Sequence, residues 1–250
     1  MQEPDKNSEK LATLSKGTSV IVQTIYDNGW SYILSSTQNG YVLSECLSNI
    51  NPNNIPDYSD SSKDESEVES EYTELELIST LSFTMDLSKP SGFSLEQFRT
   101  VLQYNSSDVN NIFTENADYF YYAEQEYGLN GIFLAAVAIH ESGWGTSNIA
   151  IQKNNLFGYM AYDENSYYSA KTFSSYAEGI DLLARVFVKY YLYPAGTEIY
   201  GGNIAEGKYY NGSTLQGVNT KYASDSTWAN KIYSVMQTLY NSLWNKKSKT

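Results

Sequence analysis

Apolar positions along this chain follow two different rhythms. Before about residue 49 they come in short runs, Thr18 to Ile25, Trp30 to Leu34 and Gly40 to Leu43. Asp27-Asn28-Gly29 and Gln38-Asn39-Gly40 lie between them, so the spacing predicts strands joined by turns. From about Leu77 the period becomes helical. Ser94 opens a helix through Gln103, with Gln97 three residues on as in a capping box. A second helix runs from Asn116 to Tyr127 and stops at Gly128. A third is the wholly apolar run Ile132 to Ile139, opened by Asn130 and closed by two glycines; apolar on every side, it predicts a buried helix. Ser175 to Leu192 is a fourth, with Ile180, Leu183, Ala184, Phe187 and Tyr191 on one face. The last runs from Ser226 to Trp244, with Ile232, Val235, Met236 and Leu239 inward. Tyr159 to Phe173, polar and rich in tyrosine, suits a small hairpin. Mostly helices around a short hairpin define an α+β domain over 77–250, preceded by a small all-β module over 1–49.

Charge sharpens the boundary between them. The net charge is −13, yet residues 57–76 hold nine acids and one lysine, while 77–250 hold fifteen acids and twelve bases. The segment 50–76 therefore reads as an acidic, extended linker whose later part, Glu65 to Glu76, can turn helical. No basic stripe suggests nucleic acid. The longest apolar run spans eight residues, too short to cross a membrane. Gln2-Glu3-Pro4-Asp5-Lys6 is polar at once, so no signal peptide is expected after Met1.

The chain has one cysteine, Cys46, and one histidine, His140. An internal disulfide is impossible, and a His/Cys zinc site lacks ligands, so no metal and no cofactor is expected. Cys46 is expected to be a small buried hydrophobe. His140 and Glu141 are adjacent on one helix, about 100° apart, which makes His140 a packing histidine rather than a base.

Glu141 carries the candidate chemistry. It closes the apolar helix at His140-Glu141-Ser142-Gly143-Trp144-Gly145. Burial and the negative helix end both disfavour its charged form, so a raised pKa is expected. Such an acid can protonate a glycosidic oxygen. A structural glutamate bonded to a loop is the plainer alternative.

Three motifs in order, Glu141-Ser-Gly-Trp-Gly-Thr-Ser147, Asn154-Asn-Leu-Phe-Gly158 and Tyr222-Ala-Ser-Asp-Ser-Thr-Trp-Ala229, resemble those of bacterial endo-β-N-acetylglucosaminidases, the peptidoglycan hydrolases of glycoside hydrolase family 73. The resemblance spans about Ser82 to Leu243. It implies a lysozyme-like fold, Glu141 as general acid and peptidoglycan glycan strands as substrate. It also implies a secreted, wall-associated protein of autolysin type. A muramidase or lytic transglycosylase on the same fold, or a non-catalytic wall-binding protein, are the rivals. Lys16-Gly17-Thr18 and Gly40-Tyr41-Val42-Leu43 resemble a bacterial SH3-like module lacking its first strand. A monomer is the default expectation.

The second catalytic group stays open. Asp163, with Glu164 beside it, lies in the expected hairpin and can reach across a groove, or form a solvated turn. Glu178 follows Ser175 at capping-box spacing, which accounts for it. The substrate's own acetamido group can replace a second carboxylate. Tyr222 matches the family tyrosine that faces the cleft, or packs on the last helix. Asn154 and Asn155 are expected to bond N-acetyl groups or turn backbone. Tyr159 and Tyr162 are candidates to line a saccharide groove, because tyrosine offers a flat apolar face with a polar rim. Asp225 is expected to cap the last helix, and Trp144, Phe157 and Trp228 to pack.

Overall fold

The computed structural model describes residues 20–26, 28–34, 40–47, 74–103, 105–161 and 166–247, with positions 5, 8 and 10–14 near the start. The chain divides into two compact units, Met1–Val68 and Glu69–Thr250, so the division falls inside the acidic segment.

In the first unit β1 (Ile21–Ile25), β2 (Trp30–Leu34) and β3 (Gly40–Leu43) form an antiparallel meander in the order β1-β2-β3. The β1–β2 register shifts between Val22 and Thr24, a bulge. The turn into β2 uses Gly29 at φ +82°, a left-handed conformation that glycine adopts without steric cost. Trp30, Ser31 and Ile33 are buried, and the Ser31 and Ser44 hydroxyls bond at 2.7 Å. Cys46 corrects the expectation of burial. It ends a single 3₁₀ turn, Ser44–Cys46, after β3, and its thiol is exposed.

The second unit is mostly helical. Its helices are α1 (Glu74–Thr80), α2 (Leu95–Leu102), α3 (Ile112–Tyr127), α4 (Gly131–Ser142), α5 (Asn148–Lys153), α6 (Ser166–Ser169), α7 (Tyr176–Val186), α8 (Leu215–Tyr222) and α9 (Trp228–Lys247). Local signals set several ends. Ser94 and Gln97 form the reciprocal capping box of α2. Gly128 ends α3 in the left-handed region. Asn130 caps α4, its Oδ1 accepting the Phe133 N–H at 2.8 Å. One α-helical stretch becomes π-helical at Phe187–Tyr191, where the fourth expected helix continues past α7.

Helix α4 lies in the middle of this unit. Every residue from Gly131 to Ile139 is buried, and Phe98, Phe113, Phe120, Phe133, Phe187 and Tyr240 are among the largest side chains fully enclosed in the core. Gly131 is required by close approach: a Cβ there would lie 2.8 Å from the Phe120 carbonyl oxygen and 2.9 Å from Glu124 Cβ. With α9 also packed on α4, the helix has apolar neighbours on all sides, which is why its sequence shows no polar face.

The small antiparallel hairpin sits elsewhere than expected. It lies at 197–205, bridged at Glu198 and Ile204, with Ala205 N–H donating to Thr197 O at 2.8 Å. The segment 159–173 does double back, since Lys171 N–H donates to Tyr159 O at 3.0 Å. Its described residues, however, form turns and α6 rather than strands.

Candidate active site

The site is built on the last turn of α4. Ile139 is buried, His140 half-buried and Glu141 exposed. The expectation that Glu141 is buried with the rest of the helix is therefore corrected. The helix leaves the core in its final turn, and Glu141 lies on the outward side of that turn.

The residues after Glu141 make a sharp exit. Gly143, Trp144 and Gly145 all have positive φ, at 58°, 57° and 70°. Two glycines take this conformation freely; Trp144 does so at a steric cost that its surroundings impose. Ser142 organises the turn: its hydroxyl donates to Ala138 O at 2.6 Å and accepts the Gly145 N–H at 2.8 Å. Thr146 and Ser147 N–H both donate to Ser142 O at 3.1 Å. The Trp144 ring sits edge-on to Phe113, 5.4 Å away. The Glu-Ser-Gly-Trp-Gly motif is thus a device that stops α4 abruptly and leaves Glu141 at the surface.

A second segment reaches Glu141 from 87 residues further on. The Trp228 indole N–H donates to Glu141 Oε1 at 3.0 Å. Trp228 is a core residue at 2% exposure, as its motif predicts; the hydrogen bond is a role that its sequence does not disclose. Asp225 holds it in place. Its Oδ1 accepts from Thr227 N–H and Oγ1, its carbonyl accepts the Trp228 backbone N–H at 3.1 Å, and Lys231 pairs with Oδ2 at 2.7 Å. Those bonds hold the carboxyl of Asp225 well below the usual range, the Lys231 contact first. Buried Asn219 ties the same corner from α8, donating to Asp225 O at 2.9 Å and accepting from Ala229 N–H at 3.2 Å.

Tyr222 joins this group. Its ring lies 5.0 Å from Trp228, 5.1 Å from Phe187 and 5.7 Å from Tyr191, and Tyr191 lies 5.0 Å from Tyr209. Burial first, then the charge of Glu141, pushes the Tyr222 phenol well above its ordinary value, so it stays protonated. Aromatic rings thus continue from Trp228 beside Glu141 to Tyr209.

The remaining candidates are arranged as follows. Asn155 is buried; its Nδ2 donates to Tyr159 O at 3.0 Å and Lys171 O at 2.9 Å, and its Oδ1 accepts from Tyr159 N–H at 3.0 Å. Asn154 caps α5 in the left-handed conformation and donates to Phe173 O at 3.1 Å. The bonds these two make here are those of backbone support. Tyr159 is half-buried and packs against the core. Tyr162, Asp163 and Glu164 lie outside the described residues. Glu178 accepts the Ser174 N–H at 2.7 Å and the Ser174 hydroxyl at 2.8 Å, while Ser175 accepts the Glu178 N–H. This is a capping arrangement displaced by one residue. Among the described residues, no group of three His, Cys, Asp or Glu side chains is placed to hold a metal ion.

The last turn of α4 thus brings together an acid, an indole N–H donor and a tyrosine held protonated. A family model of mannosyl-glycoprotein endo-β-N-acetylglucosaminidases matches residues 117–241, half of the chain, and the chain belongs to this glucosaminidase family. A putative endo-β-N-acetylglucosaminidase of Streptococcus pneumoniae serotype 4 is 38% identical over 162 residues, 64% of this chain and 22% of the relative. A β-N-acetylglucosaminidase of Bacillus subtilis is 28% identical over 173 residues, 64% of this chain and 18% of the relative. The chain thus spans about a fifth of the length of the curated relatives it matches. Among solved structures, S. aureus autolysin E has a TM-score of 0.43 at 23% identity, covering 67% of this chain and 74% of its own. S. aureus glucosaminidase B has a TM-score of 0.45 at 15% identity, covering 68% and 71%.

Proposed function

We propose that this chain is a lysozyme-like endo-β-N-acetylglucosaminidase that cleaves the β-1,4 bond after GlcNAc in peptidoglycan. Glu141 is its general acid. The observation that supports this reading most directly is the pairing of Glu141, exposed at the end of α4, with the indole N–H of buried Trp228. An exposed acid is accessible to a glycan strand, and the strand in turn removes it from water as it binds. Protonation of the leaving oxygen accompanies cleavage of the C1–O bond. The electron-poor C1 is then met by water, aided by a carboxylate near Asp163, or by the substrate's acetamido oxygen. Wall association follows from the substrate, and the three-stranded module is a candidate SH3-like wall-targeting element.

Digestion of purified peptidoglycan, borohydride reduction and mass spectrometry test the bond. Reduced GlcNAc ends, lost in Glu141→Gln, are the expected result. Reduced or anhydro-MurNAc ends would move the assignment to a muramidase or transglycosylase. Full hydrolysis by Glu141→Gln would remove Glu141 from the mechanism.

A further inference from the structure

The hydrogen bond between Trp228 and Glu141 has a direction, and the direction carries chemical information. An indole N–H can only donate. Oε1 must therefore accept in both protonation states of Glu141. In the neutral acid the carbonyl oxygen is the better acceptor and the hydroxyl oxygen the poorer one. A fixed donor at Oε1 makes that atom the carbonyl and leaves the proton on Oε2.

The donor is fixed by everything around it. Trp228 is 2% exposed, is packed 5.0 Å from the Tyr222 ring, and begins α9 at a corner held by Asp225 and Asn219. Lys231 holds Asp225 in turn. Glu141, by contrast, is an exposed residue on the last turn of a helix. An exposed acid held at one oxygen by a buried donor presents its other oxygen in a constant direction.

We infer that Trp228 is a positioning residue that selects Oε2 as the proton-bearing oxygen of Glu141. This rests on the reading of Glu141 as the acid. In the step it serves, the C1–O bond breaks and its electron pair stays on the leaving oxygen, which takes the proton from Oε2. Glu141 becomes a carboxylate still bonded to Trp228, and regains a proton from the water that completes hydrolysis. The Tyr-Ala-x-Asp-x-x-Trp-Ala segment, on this account, acts chiefly through Asp225 and Trp228 on a residue in another motif.

The test compares two substrates of opposite demand. Peptidoglycan has a sugar alkoxide leaving group that must be protonated; a 2,4-dinitrophenyl β-glycoside of a chitooligosaccharide has one that need not be. In Trp228→Phe, kcat on peptidoglycan should fall about tenfold, a fraction of what general-acid catalysis supplies, with KM unchanged. Hydrolysis of the dinitrophenyl substrate should stay within about twofold. The ratio of the two rates does not depend on how much enzyme is folded, so partial misfolding leaves the comparison intact. Equal slowing on both substrates would reduce Trp228 to packing, and no slowing on either would remove it from the site; both overturn the inference. Glu141→Gln, run in parallel, should lose peptidoglycan and keep the activated substrate. Near-normal cleavage of peptidoglycan by that variant would overturn the acid assignment itself, a result distinct from failure of Trp228 alone.

Discussion

The carboxylate of Glu124 accepts the backbone N–H of Gly131 at 2.7 Å, and the same oxygen accepts the Ser91 N–H at 2.8 Å. Glu124 belongs to α3 and Gly131 opens α4, so one atom joins α3, the loop before α2 and the start of the central helix. Helix α4 consequently meets an acid at each end, in opposite settings. Glu124 is fully enclosed at the amino end, whereas Glu141 stands exposed at the carboxyl end. The helix dipole and two N–H donors favour a charged Glu124, but burial outweighs them and pushes its carboxyl up to about 7.

That shift predicts how stability depends on pH. The folded-state value of about 7 exceeds the ordinary 4.5, so the folded protein binds this proton more tightly than the unfolded chain. The contribution is fully present below about 4.5 and is lost as pH rises through about 7. At about 1.4 kcal/mol for each pH unit, the loss is on the order of 3 kcal/mol. Glu124→Gln keeps an acceptor for Ser91 and Gly131 but cannot ionise. The melting temperature of the wild type should drop relative to this variant between pH 5 and pH 8. Parallel curves over that range would rule out Glu124 as the source.

Gly145 predicts a different kind of sensitivity. Its φ of +70° disfavours any side chain, and a Cβ would lie 2.9 Å from Ile112 Cδ1 and 3.2 Å from Ile112 Cβ. Left-handed backbone costs about 1–2 kcal/mol for an L-residue, before the contact with Ile112 is relieved. Gly145→Ala should therefore destabilise by about 2 kcal/mol, read as a lower urea midpoint with unchanged slope. It should also lower hydrolysis per folded molecule, because the turn that ends α4 beside Glu141 has moved. A variant as stable as the wild type would show that the turn adapts freely.

Much of this arrangement is legible in the sequence because it is locally encoded. Ser94 and Gln97, Asn130, and Gly128 mark helix ends by bonds or dihedrals that involve a few neighbouring residues. The runs Trp30–Leu34 and Gly40–Leu43 are strands as read, for the same reason. What escapes is of two kinds. Helix α8 contains Gly217, a poor helix former that Thr214 nonetheless caps, and that close packing requires: a Cβ would meet the Gly212 carbonyl oxygen at 2.2 Å. Periodicity has little to grip in eight residues with a glycine inside. The exposure of Glu141 and its bond to Trp228 depend on where α4 leaves the core and on a segment 87 residues away. A helix apolar on every side gives no phase from which to tell which side of its last turn faces water.

Asn155 separates two roles that its motif leaves open. Its amide donates to the Tyr159 and Lys171 carbonyls and accepts from the Tyr159 N–H, closing the base of the 159–173 segment. Asn155→Ala leaves buried backbone groups without partners, at about 1–3 kcal/mol each. The expected outcome is a melting temperature lower by about 5 °C or more. With a structural role, KM of the folded fraction stays near the wild-type value. A selective rise in KM without loss of stability would instead assign the amide to substrate.

Tyr222 allows ring and hydroxyl to be tested apart. The ring is held among Phe187, Tyr191 and Trp228, at 5.1, 5.7 and 5.0 Å, and so braces the tryptophan that bonds Glu141. Tyr222→Ala removes that brace and leaves a cavity, costing about 3–5 kcal/mol as other large aromatic truncations do. Tyr222→Phe keeps the ring and removes the phenol that burial and Glu141 together hold protonated. Its melting temperature should stay within about 2–4 °C of the wild type, the equivalent of about 1 kcal/mol. Hydrolysis of peptidoglycan should fall at least about tenfold if that proton is donated to substrate, within the range of a positioned acid–base group. Unchanged hydrolysis in a stable Tyr222→Phe would confine Tyr222 to support of Trp228. In that case the alanine variant should reproduce the selectivity of Trp228→Phe, slowing peptidoglycan more than the dinitrophenyl glycoside, because both substitutions release the same carboxylate.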